Sequence, residues 1–240
     1  MLVQDMNDSY QGLAQYYDRV VQNYRNYHEL AIELARTIGD ARELLEIGIG
    51  TGLIVEILLQ IEPTYKIAGI DTSESLLEEA QKKLGKNADL YCQSVSELNI
   101  DRTFDVAYSR GGAWTFVTSG SETMLASHIF SNEEIQTSFN CVANHLQPGG
   151  RLIVSSSNSY GDHVVELDNG IVHHKKATTE FIDNEHYAIL DYLFYQNEEL
   201  LSQEQLKLKL LDCKTCTMML EKAGFVEKDI EGKYRTYLKT

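Results

Sequence analysis

Glu46-Ile47-Gly48-Ile49-Gly50-Thr51-Gly52, an acid followed by three alternating glycines, is the stretch of this chain most suited to ligand chemistry. Glycines let the backbone turn tightly and approach a ligand with no Cβ in the way. Leu44 and Leu45 before them read as a strand and Leu53 to Leu59 after them as a helix, which makes the turn a strand-to-helix ligand loop. A dinucleotide loop, Gly-x-Gly-x-x-Gly, would place its third glycine at position 53, where Leu53 stands. About twenty residues beyond the loop, Asp71 ends a second apolar run, where a carboxylate can accept both hydroxyls of a ribose. Further on, Arg110 can pair with a carboxylate, and Gly111-Gly112 allows a close backbone approach. Trp114, the only tryptophan, either lays its ring against a cation or packs in the core. Tyr160 and the histidines at 163, 173, 174 and 186 are candidates for removing a proton from a nucleophile, with Tyr160 and His174 taken first. Neighbouring strand residues face opposite ways, so His173 and His174 cannot both point inward.

The elements that position these residues alternate as in a parallel α/β sheet. Strands are expected at about 43 to 48, 66 to 71, 88 to 93, 104 to 109 and 151 to 155, with helices at 52 to 60, 74 to 84 and 132 to 146. Thr72 and Ser73 can cap the helix at 74. A long helical pattern covers 8 to 38, and 115 to 131 reads as irregular, with Ser119-Gly120-Ser121 suggesting a mobile loop and His128 left unassigned. From 156 to 212 the pattern turns to strands, 164 to 167, 171 to 175, 187 to 195 and 206 to 210, with Asp168-Asn169-Gly170 as a hairpin turn. An antiparallel insertion there belongs above the ligand-binding edge of the sheet. A helix at 213 to 223 and strands at 226 to 230 and 234 to 238 close the chain.

Composition narrows the function. At 240 residues, 43% apolar and 24% charged, the chain has an ordinary globular make-up, and no apolar run approaches the roughly 20 residues of a membrane span. The opening residues lack a basic region before an apolar stretch, so no secretory leader is expected and the cytoplasm is the default compartment. A formal charge of -15 repels phosphate backbones, which argues against nucleic acid. Cys213 and Cys216 lack a second ligand pair and read as helix packing, so no metal is expected.

The glycine loop with its acid, Asp71 after the second strand, Leu146-Gln147-Pro148-Gly149-Gly150 before the fifth, and the closing Ala223-Gly224-Phe225 together resemble the class I S-adenosylmethionine (SAM) methyltransferases. Tyr10 to Asp18 is similar to the Ala-x-x-Tyr-Asp segment of small-molecule members, including glycine and aminosugar N-methyltransferases. The resemblance implies a Rossmann-like seven-stranded sheet with an N-terminal helical lid (1–40), a SAM-binding core (41–155), an antiparallel β cap on the substrate side (156–212) and a closing helix and strands (213–240). It also implies that Glu46, Gly48, Gly50, Gly52, Asp71 and Thr72 hold the cofactor, that Ser109 and Arg110 face its reacting end, and that Tyr17 lies over its methionine part. Ser94 stands where the family commonly has an adenine-reading aspartate, leaving the amide of Val95 for that contact. The family's base- and glutamine-methylating branch carries Asn/Asp-Pro-Pro-aromatic after strand four; the only prolines here are Pro63 and Pro148, which excludes it. The expected activity is methyl transfer from SAM to nitrogen or oxygen of a small molecule, leaving S-adenosylhomocysteine, with a homo-oligomer left open. Two rivals keep the same site: a cyclase making azetidine-2-carboxylate and methylthioadenosine from SAM itself, and a non-catalytic SAM-binding protein.

Overall fold

A computed structural model describes residues 17–19, 21–22, 26–158, 161–167 and 170–240 of the chain. Residues 17–19 and 21–22 are helical, but they do not run unbroken into helix α1 (Tyr27–Ile38). Asn26 has an extended backbone, and its side chain accepts a hydrogen bond of 3.2 Å from the Glu29 amide, so a new helix starts there. The single helix expected over 8 to 38 is thus interrupted by its own asparagine.

Strands and helices then alternate: β1 (Glu43–Ile47), α2 (Leu53–Ile61), β2 (Lys66–Asp71), α3 (Glu74–Leu84), β3 (Ala88–Cys92) and β4 (Phe104–Ser109). Next come β5 (Trp114–Ser119), β6 (Glu122–Ser127), α4 (Asn132–His145) and β7 (Leu146–Asn158). The remainder is β8 (His163–Glu166), β9 (Ile171–Ile182), β10 (Glu185–Gln196), β11 (Glu199–Asp212), α5 (Cys213–Lys222), β12 (Phe225–Glu231) and β13 (Tyr234–Lys239). The central strands pair in the order β3-β2-β1-β4-β7-β13-β12, parallel up to β7 and antiparallel beyond it. The chain reverses its direction of winding between β1 and β4, the point where open α/β sheets bind ligands beyond their carboxyl ends.

Both faces of this sheet are covered, which explains why its strands read as continuous apolar runs. Leu44, Ile67, Val106 and Ile153 pack with Leu34, Val55 and Leu77 of α1, α2 and α3. Leu45, Ala68, Ala107 and Leu152 pack on the opposite side with Phe139 of α4 and with Cys216 and Leu220 of α5. Cys216 is therefore a packing residue.

β7 serves two sheets. Residues Arg151 to Val154 pair with β4 and Arg151 to Ser155 with β13, whereas Ser156 to Asn158 pair with Phe116 to Thr118 of β5. At the changeover Thr115 Oγ1 lies 2.9 Å from Ser155 Oγ. From β5 the second sheet continues β6-β11-β10-β9-β8, antiparallel throughout. Here the structure corrects the sequence reading. The segment 115 to 131 is not an irregular loop; its first part forms the hairpin β5-β6, turning at Gly120 with φ 61°, and Phe116 and Leu125 are buried in the core. The cap strands also run further than expected, through turns at Asp183-Asn184 and Asn197-Glu198. All four turn residues have positive φ, the two-residue geometry that matches strand twist and suits Asn and Asp. Asp168 and Asn169 of the expected turn lie outside the described residues, although Leu167 N donates to Ile171 O across it.

Candidate active site

The glycine loop sits at the carboxyl end of β1. Gly48 N and Ile49 N donate to Ile70 O at the end of β2, at 2.8 and 3.0 Å, and Gly50 N donates to Asp71 Oδ2 at 2.8 Å. Asp71 Oδ1 accepts from Ser73 N at 3.0 Å, so the carboxylate fixes the loop to the start of α3. Asp71 thus stands between the glycine loop and α3 at the carboxyl end of β2. Ser73, not the exposed Thr72, caps α3: its Oγ accepts from Leu76 N at 3.2 Å.

The glycines are required for different reasons. A Cβ on Gly48 would lie 2.3 Å from Gly112 Cα, and one on Gly112 would lie 2.4 Å from Ile47 O. The loops after β1 and β4 therefore touch backbone to backbone, a contact no larger residue permits. Gly52 is pressed on Leu84 of α3, where a Cβ would come within 2.6 Å of Cδ1. Among the described residues, nothing lies within 4 Å of a Cβ built on Gly50.

Glu46 is 2% exposed. It shares a sheet face with Tyr108 of the neighbouring strand, whose hydroxyl donates to Oε2 at 3.3 Å. Burial pushes its carboxyl up to about 8, while Arg110 and the Tyr108 hydrogen bond pull the other way. The half-buried Arg110 lays its guanidinium over the Tyr27 ring, 4.3 Å from the centroid. Tyr17 joins this group from the N-terminal segment. It packs on Leu167, Ile171 and Phe194 of the cap, and burial, with Tyr27 and Tyr192 nearby, raises its phenol above the ordinary range.

Other expected residues are placed differently. Trp114 is fully buried, its ring centroid 4.6 Å from that of Phe139, and it belongs to the core beneath α4. The cation-facing use of this ring is corrected to packing. Ser109 Oγ donates to Trp114 O at 2.9 Å and accepts from Trp114 N at 3.2 Å, so its hydroxyl ties off the 110–113 loop. Ser94 turns its hydroxyl to Ser96 N at 3.3 Å and Ser96 Oγ at 2.8 Å, capping a short turn that buries Val95. Tyr160 lies outside the described residues.

His174 and His173 lie on opposite faces of β9. The His174 ring lies 5.1 Å from Tyr195 on one face of β9, whereas His173 is fully buried on the other, between Tyr192 and Phe194, in the neighbourhood of Tyr17. Burial and Lys175 lower the His173 imidazole to about 4. The register with β10, where His173 opposes Phe194, decides which of the two points inward.

Two further residues were given no role in the sequence reading. His128 follows β6, and its amide donates to Ala113 O at 3.1 Å, which brings it to the loop after β4; burial lowers its imidazole to about 4. Only recognition of the β5-β6 hairpin could have placed it. Asp18 accepts from Thr51 Oγ1 of the glycine loop and pairs with Lys83 of α3. Among the described residues, no group of three or more His, Cys, Asp or Glu side chains is placed to hold a metal, and no helix is long and apolar enough to cross a membrane.

Residues 44–150 match the methyltransferase domain family. The malonyl-[acyl-carrier protein] O-methyltransferase of Bacillus anthracis is 27% identical over 159 residues, covering 54% of this chain and 55% of that protein. The chain thus spans about half the length of this relative. Two solved structures are similar over nearly the whole chain. SAM-bound CalS10 from Micromonospora echinaspora, described as an amino pentose methyltransferase, has a TM-score of 0.72 at 17% identity, covering 94% of this chain and 97% of that one. DesVI from Streptomyces venezuelae has a TM-score of 0.74 at 19% identity, covering 95% and 98%. The fold is shared with these solved methyltransferases, and residues 44–150 match the methyltransferase domain.

Proposed function

We propose that this protein transfers a methyl group from SAM to a nitrogen or oxygen of a small molecule, with an amine as the favoured acceptor. The observation that carries the reading is the convergence of the open Gly50 backbone, Asp71 and buried Glu46 at the reversal between β1 and β4. Asp71 would accept from the ribose hydroxyls, Glu46 would face the ammonium of the methionine tail, and Arg110 its carboxylate. Tyr17 would cover that tail from above. When bound, SAM supplies an activated methyl on a sulfonium, so the protein need only align the nucleophile and exclude water.

The two buried imidazoles suit that division of work. At about 4, His128 and His173 are neutral at physiological pH and too weakly basic to strip a proton from an ammonium. An amine captured as its ammonium would therefore release its proton to solvent before methyl transfer.

Two observations favour an amine. The likeness to the amino pentose methyltransferase includes the cap, whereas the likeness to the malonyl-carrier enzyme covers about half of the chain. The net charge of -15 also attracts cationic molecules and repels a malonyl carboxylate. The comparisons add nothing to the cyclase or non-catalytic readings. The test is to supply methyl-labelled SAM with amino sugars, matching hydroxyl sugars and a malonyl thioester. Label on the amines is expected; label on the thioester alone would overturn the acceptor class.

A further inference from the structure

We infer that Asp18, held by Lys83 and Thr51, latches the N-terminal segment over the glycine loop and so sets how fast the cofactor leaves; this rests on the SAM reading of the site. Three parts of the fold meet at one carboxylate. Thr51 lies inside the glycine loop, is 3% exposed, and donates its hydroxyl to Asp18. Lys83 stands in the last turn of α3 and gives its ammonium to the same carboxylate, with Nζ 3.5 Å from Thr51 Oγ1. The side chains of Lys83 and Asp18 are 17% and 31% exposed.

A cation so largely covered needs its counter-charge, because breaking one member leaves the other poorly solvated. The platform beneath is rigid, for Leu84, next to Lys83, is the residue packed on Gly52. The residue before Asp18 completes the arrangement. Tyr17 packs on Leu167, Ile171 and Phe194 of the cap, so one turn of helix joins the cofactor loop to the substrate side. Asp18 and Lys83 are positioning residues, and their effect falls on residence time.

The experiment measures SAM affinity and dissociation rate for wild type, Asp18→Asn, Lys83→Met and the double variant, with hydrogen exchange at residues 17–22 of the ligand-free proteins. Each single substitution is expected to speed dissociation about tenfold, with little change in association rate, and to lower exchange protection. The double variant should be no worse than either single one, and the swap Asp18→Lys with Lys83→Asp should restore part of the slow dissociation. A merely structural role would not give that rescue. Unchanged dissociation and protection in the single variants, or effects that simply add, would overturn the latch. If wild type itself failed to bind SAM, the cofactor reading would fall, and exchange at 17–22 would still decide whether Lys83 holds the segment: protection lost in Lys83→Met supports it, protection unchanged overturns it.

Discussion

Glu46 is the residue through which, on the proposed reading, the fold would act on its ligand. With its carboxyl raised from 4.5 to about 8 by burial, it carries a proton at neutral pH in the ligand-free protein. An acid raised in the folded state contributes stability that is fully present below the unfolded value and is lost as pH rises through 8. The difference is on the order of 5 kcal/mol. Glu46→Gln should therefore gain stability over wild type as pH climbs from about 5 to 8, measured by denaturant unfolding across that range. An ammonium beside Glu46 favours the ionised form, so SAM binding at pH 7 should expel about one proton from wild type and none from Glu46→Gln. Calorimetry in buffers of different ionisation enthalpy reads this directly, and equal proton counts would remove the ammonium assignment. The glycines separate as sharply. Gly48→Ala must displace the backbone of Gly112 and should abolish SAM binding, whereas in the ligand-free protein Gly50→Ala meets, among the described residues, only the strain of φ 56°, about 1–2 kcal/mol. These positions were legible in the sequence because glycine spacing and an acid after a strand are local signals. The choice between His173 and His174 was not, since it depends on a register set by β10.

Among the elements, β7 decides the architecture by running through the parallel sheet and on into the cap. The helices and parallel strands of the core could be read because each buries a continuous apolar run or stripe. The β5-β6 hairpin could not. Its turn at Gly120-Ser121 lies in a stretch rich in small polar residues, and its edges are supplied by β7 and β11, far away in the chain. Losing that hairpin from the reading also lost His128 and left Trp114 undecided. The packing of Trp114 on Phe139 makes a definite prediction: Trp114→Phe should cost about 1–3 kcal/mol of stability in denaturant unfolding and leave SAM affinity unchanged. Weakened SAM binding with stability intact would put the ring back at the ligand.

For the molecule as a whole, the charge of -15 is the property every substrate meets first. Its field should speed the capture of cationic acceptors, so kcat/KM for an amine falls as salt screens it, while a neutral hydroxyl acceptor is indifferent. A series of initial rates against potassium chloride distinguishes the two, and an amine rate that rises with salt would exclude steering by this surface. The most direct test of the central claim is the fate of SAM itself. Purified protein is incubated with SAM, with and without an amine acceptor, and the nucleoside product is identified by mass spectrometry. Methyl transfer predicts S-adenosylhomocysteine that appears with the acceptor and a matching gain of one methyl on the amine. Methylthioadenosine accumulating from SAM alone would contradict it.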